Sequence, residues 1–128
     1  MRPFSDLRVL VVEDEVLIGL DVADLLSELG CHVAGPFRTV AEASNSINEQ
    51  CPAAAVLDVN LGSETAIPIA DALAAKGVPF VWLTGYLRSI LPERHGDRPF
   101  VAKPFSRATL LDALASLSGH TQLTHEAA

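Results

Sequence analysis

Hydrophobic and polar positions follow two different periods along the chain. Mostly unbroken aliphatic runs occupy positions 8–13, 31–35, 53–58, 78–84 and 99–102. Short apolar runs of this kind are typical of parallel strands that are covered on both faces. We therefore predict five strands, of which the second is the weakest.

The segments between these runs carry helix signals. After the first run, apolar residues recur at helical spacing up to Gly30, which is suited to a helix C-terminus. Thr39 and Glu42 form the T-x-x-E pattern of a capping box. Ser106 is placed to cap a last helix. The segment 86–98 is only weakly helical, because a proline and a glycine interrupt it.

The order of these elements predicts the fold class. Strands that alternate regularly with helices form βαβ units with right-handed crossovers. We expect an α/β, doubly wound (βα)5 fold, with a five-stranded parallel sheet and helices on both faces. A single domain is expected over 1–128, with its core at about 6–118 and a tail without period at 119–128. In such sheets the functional crevice lies beyond the carboxyl ends of the strands.

Composition and charge narrow the class of function. The 128 residues are 49% hydrophobic and 20% charged, and the net charge of −7 argues against a basic nucleic-acid groove. Cys31 and Cys51 are isolated thiols without metal-ligand spacing, as expected in a reducing compartment. The sequence has no membrane-spanning run and no apolar signal segment, so we expect a cytoplasmic protein.

Charged and hydroxyl side chains follow four of the five predicted strands. Strand by strand, they are Glu13 and Asp14, then Asp58, Thr84 and Lys103. Each has an ordinary explanation alone, since acids favour helix N-termini and lysines favour the surface. Because parallel strands open on one edge of a sheet, one shared site accounts for all five together.

The chemistry of such a site favours phosphoryl transfer. Clustered carboxylates repel one another unless a cation joins them. Their hard oxygen atoms suit Mg²⁺, which shares its remaining positions with phosphate oxygens. An aspartate can attack phosphorus and form an acyl phosphate. We therefore predict that Asp58 accepts the phosphoryl group and that Lys103 offsets its charge.

Four motifs make the chain resemble the receiver domain of two-component response regulators over essentially its whole length. They are "VVEDE", "VLDVNLG", the threonine of "VWLTG", and "VAKPF". Each is weak alone, but the combination is specific. The resemblance implies a flavodoxin-like fold and a phosphoprotein that receives its phosphoryl group on Asp58. The donor would be a histidine kinase or a histidine phosphotransfer protein of a phosphorelay.

The resemblance also implies a metal site. Asp14 and Asp58 would ligate Mg²⁺ together with the backbone carbonyl of Asn60, and Glu13 would reach the ion through water. The segment "VNLGSET" after this point departs from the common receiver pattern, which has a proline and a glycine further on. The sequence therefore leaves the geometry of the loop after Asp58 open.

A conformational switch is the third implication of the resemblance. Thr84 and Lys103 would contact the phosphoryl group, and Phe100 falls at the position of the switching aromatic residue. The Lys103–Pro104 peptide bond is expected to be cis. Inward movement of Thr84 would let Phe100 turn from exposed to buried and change the face formed by the fourth helix, fifth strand and fifth helix.

A narrower likeness comes from "PFVWLTGY". It is similar to the motif Pro-Phe-x-Phe-Ala-Thr-Gly-Tyr of stand-alone alphaproteobacterial receivers linked to stress signalling. Trp82 and Leu83 replace the phenylalanine and alanine of that motif, and Gly85 is expected to loosen the following loop. The fourth helix is distorted in that subfamily, which agrees with the interrupted segment 86–98.

The expected function is that of a single-domain response regulator, not an enzyme, that signals through contact with an unknown downstream protein. Two alternatives belong to other classes. One is a pseudo-receiver that binds partners without phosphorylation. The other is a small Mg²⁺-dependent phosphohydrolase, although that chemistry generally needs a second acid where this chain has Asn60.

Other side chains receive simpler interpretations. Phe80 and Trp82 are expected in the core, one on each side of the sheet. The histidines show no ligand spacing and are expected at the surface or in the tail; they are His32, His95, His120 and His125. The basic segment of Arg88, Arg94, His95 and Arg98 is expected to be a solvated loop rather than a docking site.

Overall fold

The fold is given by a computed structural model that describes residues 5–85 and 91–117. Over these residues, strands and helices alternate, with a short 3₁₀ turn before the last strand. Their bounds are β1 Arg8–Val12, α1 Val16–Glu28, β2 His32–Phe37, α2 Val40–Glu49, β3 Ala54–Asp58, α3 Ile67–Ala75, β4 Phe80–Thr84, the 3₁₀ turn Glu93–His95, β5 Phe100–Ala102 and α4 Arg107–Ser116.

The five strands form one parallel sheet in the order β2-β1-β3-β4-β5. This confirms the predicted α/β class and its flavodoxin-like topology. The second strand begins one residue later than predicted and continues to Phe37. The tail predicted at 119–128 and the first part of the segment 86–98 lie outside the described residues.

Alternate side chains of the strands point to opposite faces of the sheet and form two cores. On one face, residues such as Leu10 and Leu57 pack against α2 and α3. On the other, residues such as Val11 and Val56 pack against α1 and α4. The prediction of helices on both faces is confirmed. No helix within the described ranges is both long and apolar enough to cross a membrane.

Phe80 and Trp82 lie on the same face of the sheet, so the prediction of one on each side was wrong. Both belong to the core shared with α2 and α3, and their rings meet edge to face with centroids 5.3 Å apart. The physical reason is the period of a strand, since residues two positions apart point to the same side.

Two predicted helix caps are present. The Thr39 hydroxyl oxygen accepts a hydrogen bond from the Glu42 amide, and Ser106 does the same for Thr109. The Glu42 carboxylate accepts from the Arg38 amide, one residue before the position expected for a capping box. These caps fix where α2 and α4 begin at the edge of the sheet that carries the candidate site.

His95 is buried, which corrects the prediction that it lies at the surface. Its side chain is 3% exposed, and its Nε2 lies 2.6 Å from a carboxylate oxygen of Asp71 on α3. Arg94, expected in a solvated loop, is exposed but donates two hydrogen bonds to the same carboxylate. Of the other histidines, His32 is exposed as expected, and His120 and His125 lie outside the described residues.

Candidate functional site

The topology brings the predicted acids together at one edge of the sheet. β1 and β3 are neighbours, with Val12 in register with Leu57. Glu13 and Asp14 therefore follow one strand beside the point where Asp58 ends the other. Oxygen atoms of Glu13, Asp14, Asp58 and also Glu15 all lie within 4.8 Å of one another.

Lys103 reaches this cluster from the end of β5. Its Nζ atom lies 2.8 Å from an oxygen of Glu13, 3.1 Å from one of Asp58 and 3.1 Å from one of Glu15. The backbone amide of Lys103 donates to the Thr84 carbonyl, which fixes the start of the loop after β5. One ammonium group thus contacts three carboxylates.

An open cleft of about 440 Å³ lies at this edge. Its lining residues are Asp14, Glu15, Asp58, Asn60, Gly62, Gly85 and Lys103. Gly62 has a φ of +87°, a conformation that side chains rarely adopt, and a Cβ there would come within 3.7 Å of an Asp14 oxygen. The absence of a side chain at Gly62 keeps this part of the cleft open next to the acids.

The Asp58 carboxyl is strongly perturbed. It is 3% exposed, and its pKa is raised from 3.8 to about 8. Burial is the largest cause, a hydrogen bond and charge repulsion from Glu13 add to it, and the Lys103 ammonium opposes the shift. The protein alone therefore carries more negative charge here than one lysine can balance.

The surroundings of Lys103 favour its charged form. Burial alone would lower the pKa of its ammonium group, but the hydrogen bond to Glu13 and the charge of Asp58 outweigh this effect. The pKa of Lys103 is therefore held above its usual range, and the side chain is a permanent cation. It can offset negative charge on any group that enters the cleft beside Asp58.

The donor set fits a hard divalent cation. Four carboxylates lie close together, three of them contact one ammonium group, and two of the four, Glu13 and Asp58, are buried. Oxygen ligands of this kind suit Mg²⁺ better than a soft metal. An additional cation would relieve the repulsion that raises the pKa of Asp58. Asp14, which lines the open cleft, is accessible to such an ion.

The remaining predicted residues lie around this cluster. Thr84 ends β4 and is fully buried, and Gly85 follows it at the cleft. Phe100, at the start of β5, is half-buried and packs against the core beneath α2 and α3. The Lys103–Pro104 peptide bond is cis, as is the Gly35–Pro36 bond.

Glu15 also lies at the site, in addition to the acids that the sequence predicts. Its backbone amide donates to Glu13 Oε2 at 3.0 Å, and its own carboxylate contacts Lys103. The signal was its position, directly after the acid pair at the start of a helix. This position alone does not indicate a functional site, because acids are common at helix N-termini.

Comparison with known proteins supports the resemblance to receiver domains of response regulators. The chain is similar to SdrG of Sphingomonas melonis Fr1, with 39% identity, a TM-score of 0.78, and coverage of 91% of this chain and 98% of SdrG. It is also similar to the receiver domain of the PhyR response regulator of Erythrobacter litoralis, with 26% identity, a TM-score of 0.77, and coverage of 88% and 89% of the two chains. No family model matches the chain.

The chain belongs to the receiver-domain family of response regulators. A curated relative is the transcriptional regulatory protein PdtaR of Mycobacterium tuberculosis, which is 33% identical over 111 residues. The matched region is 84% of this chain and 54% of PdtaR, so the chain spans about half the length of that relative. A structure of SdrG in a BeF₃-activated conformation is 42% identical to this chain, with a TM-score of 0.73 and coverage of 88% and 98%.

Proposed function

We propose that the protein is a response regulator that accepts a phosphoryl group on Asp58. The observation that carries this proposal is the contact of the buried Asp58 carboxylate with Lys103 at 3.1 Å, at the edge of an open cleft. A nucleophile beside a permanent cation and an acid cluster is the arrangement that phosphoryl transfer needs. The protein would act as a phosphoacceptor and not as an enzyme with turnover.

The chemical step moves one phosphoryl group. An Asp58 carboxylate oxygen attacks the phosphorus of a phosphohistidine on the donor protein. As the new O–P bond forms, the P–N bond breaks, and the imidazole nitrogen keeps the electron pair and takes a proton from solvent. Lys103 offsets the charge on the phosphoryl oxygens during the transfer.

We propose Mg²⁺ as the metal, held by Asp14, Asp58 and the Asn60 carbonyl, with Glu13 reaching it through water. When bound, it would supply positive charge that lowers the pKa of Asp58 and neutralises phosphoryl oxygens. Asp58 must be ionised to attack, and because its pKa without metal is raised, this contribution would increase the ionised fraction at neutral pH.

The donor we propose is a histidine kinase or a histidine phosphotransfer protein in the cytoplasm. Three exposed apolar side chains begin α1 directly after Glu15; they are Val16, Leu17 and Leu20. An apolar patch beside the cleft is suited to contact with a protein that must bring its phosphohistidine to Asp58. After transfer, Thr84 and Phe100 would pass the change to a downstream protein.

The experiment is labelling of the protein with radioactive acetyl phosphate in the presence of Mg²⁺. Phosphoryl transfer from a cognate kinase is the second measurement. Asp58→Asn should abolish labelling, because the amide is not a competent nucleophile. Asp112→Asn, which alters an exposed carboxylate on α4, should be labelled like the wild type. Undiminished labelling of Asp58→Asn would remove Asp58 from its proposed role.

The same assay separates the two alternatives. Steady release of phosphate from a generic phosphomonoester would indicate a phosphohydrolase. A wild-type protein that neither becomes labelled nor binds Mg²⁺ would indicate a pseudo-receiver. The acid cluster together with Lys103 favours the phosphoacceptor over both.

A further inference from the structure

The loop after Asp58, residues 59–66, has an ordered shape of its own; we call it the acceptor loop. The amide of Ala66 donates to the Val59 carbonyl at 2.9 Å, and the amide of Leu61 donates to the Glu64 carbonyl at 2.9 Å. Asn60 and Thr65 form an antiparallel bridge between these two bonds. The acceptor loop is therefore a small closed turn, although it lacks the proline pattern of common receivers.

The first half of the acceptor loop is linked directly to the phosphoacceptor. The Asn60 amide donates to Asp58 Oδ1 at 3.1 Å, and the Gly62 amide donates to the Asn60 side-chain oxygen at 3.0 Å. Asn60 and Gly62 both line the cleft. Any movement of this turn would therefore move the Asn60 backbone relative to the acid cluster.

Glu64 joins the other half of the acceptor loop to a helix. Its carboxylate oxygen accepts a hydrogen bond at 3.0 Å from the amide of Val40, the first residue of α2. This amide is one of the donors that a helix N-terminus leaves without a partner inside the helix, and the helix dipole favours a carboxylate there. The bond joins residues 24 positions apart, so it is a tertiary contact.

The helix at the other end of this contact is firmly held. Thr39 caps α2, and Ala43 and Ile47 of α2 are buried in the core beneath it. Glu64 itself is half-buried between helix and loop. The carboxylate thus connects the acceptor loop to an element whose position is set by packing.

We propose that Glu64 is a positioning residue for the metal site. Its bond to α2 holds the acceptor loop so that the Asn60 carbonyl is in place before the metal ion arrives. This inference rests on the proposed function, because it assumes that Mg²⁺ binds at the acid cluster. Groups that orient metal ligands from the second layer typically change metal affinity by about 10- to 100-fold when they are removed.

The test is a calorimetric Mg²⁺ titration of wild type, Glu64→Ala and Glu64→Gln. Glu64→Ala loses the bond to Val40, and its Mg²⁺ affinity should fall about tenfold. Glu64→Gln keeps an oxygen acceptor but loses the charge, so it should stay within about threefold of wild type if the hydrogen bond, and not the charge, positions the loop.

Glu42→Ala is a matched control. The Glu42 carboxylate also accepts from a backbone amide, that of Arg38 just before α2, and within the part of the chain that the structure describes it has no hydrogen bond to the acceptor loop. Glu42 lines a second cleft together with Asp14, so its removal also takes a negative charge from the neighbourhood of the acids. The Mg²⁺ affinity of the Glu42→Ala variant should stay within about twofold of wild type.

Amide hydrogen exchange in metal-free protein gives a readout that does not depend on Mg²⁺. The amides of Leu61 and Ala66 should exchange at least several-fold faster in Glu64→Ala, and at the wild-type rate in Glu42→Ala. If exchange and Mg²⁺ affinity were both unchanged in Glu64→Ala, the positioning role of Glu64 would be overturned, while the proposed metal site would stand. An equal loss of Mg²⁺ affinity in Glu42→Ala would have the same consequence. Failure of the wild type to bind Mg²⁺ would overturn the proposed metal site and this role with it.

Discussion

Asp58 is a buried acid whose charge is costly until a partner joins it. Between its ordinary pKa of 3.8 and the native value of about 8, the folded protein holds a proton on Asp58 that the unfolded chain has released. The free energy of unfolding of metal-free protein should therefore fall as the pH rises through this range and level off above it. This cost is a consequence of placing a carboxyl group where water is largely excluded.

Asp58→Asn should therefore stabilise the metal-free protein. At pH 8.5 we expect a gain of about 1–3 kcal/mol, because one pKa unit corresponds to about 1.4 kcal/mol and the amide loses the charge attraction between Asp58 and Lys103. The gain should shrink towards zero near pH 4, where the carboxyl is protonated in both states. Urea unfolding in the presence of EDTA at several pH values measures this gain in the free energy of unfolding. Asp112→Asn is the control, and a gain independent of pH would contradict the explanation.

The segment before β5 contacts α3 through the buried side chain of His95. His95 contacts Asp71 of α3, and its ring lies edge to face with Phe80 and Trp82 at 5.6 and 6.2 Å. The Trp82 indole N–H also donates to the His95 carbonyl. Because Arg94 and His95 donate to Asp71, the pKa of that carboxyl is held well below its usual range.

His95 and Arg94 should differ in their contribution to stability although they share a partner. His95→Ala removes a buried ring and a short hydrogen bond, and should cost about 2–3 kcal/mol. Arg94→Ala removes an ion pair that solvent screens, and it should lower the free energy of unfolding by much less than His95→Ala does. Urea unfolding followed by the fluorescence of Trp82, the single tryptophan, measures both. Equal losses in the free energy of unfolding would mean that the buried His95 ring stabilises the fold no more than the exposed Arg94 side chain does.

The strands and helices could be predicted from the sequence because each carries its own period, and α2 and α4 also carry a capping residue. The pairing of side chains in irregular segments could not. His95 was placed at the surface because no local pattern shows that a 3₁₀ turn folds over Phe80 and Trp82. The hydrogen bond from the Val40 amide to the Glu64 carboxylate could not be predicted either, because it depends on how the acceptor loop meets α2.

The candidate site follows from the order of the strands in the sheet. The sheet order places β1 next to β3, and β4 and β5 beyond them, so the residues after each strand meet at one edge. Asp58 and Lys103 are 45 positions apart in the chain yet 3.1 Å apart in the fold. The site residues could be predicted for this reason, whereas the exact contacts of Lys103 with three acids required the fold.

This dependence on topology leads to a prediction about metal and stability. The unfolded chain cannot bring Asp14 and Asp58 together, so Mg²⁺ should bind the folded state alone. At a concentration 100 times its Kd, it should raise the free energy of unfolding by about 2.7 kcal/mol, and thermal unfolding with and without EDTA measures the effect. Asp14→Asn should lose most of this gain and Asp112→Asn should keep it. Equal stabilisation of wild type and Asp14→Asn would mean that the ion binds elsewhere, because only a site assembled by the fold links the metal to folding through Asp14.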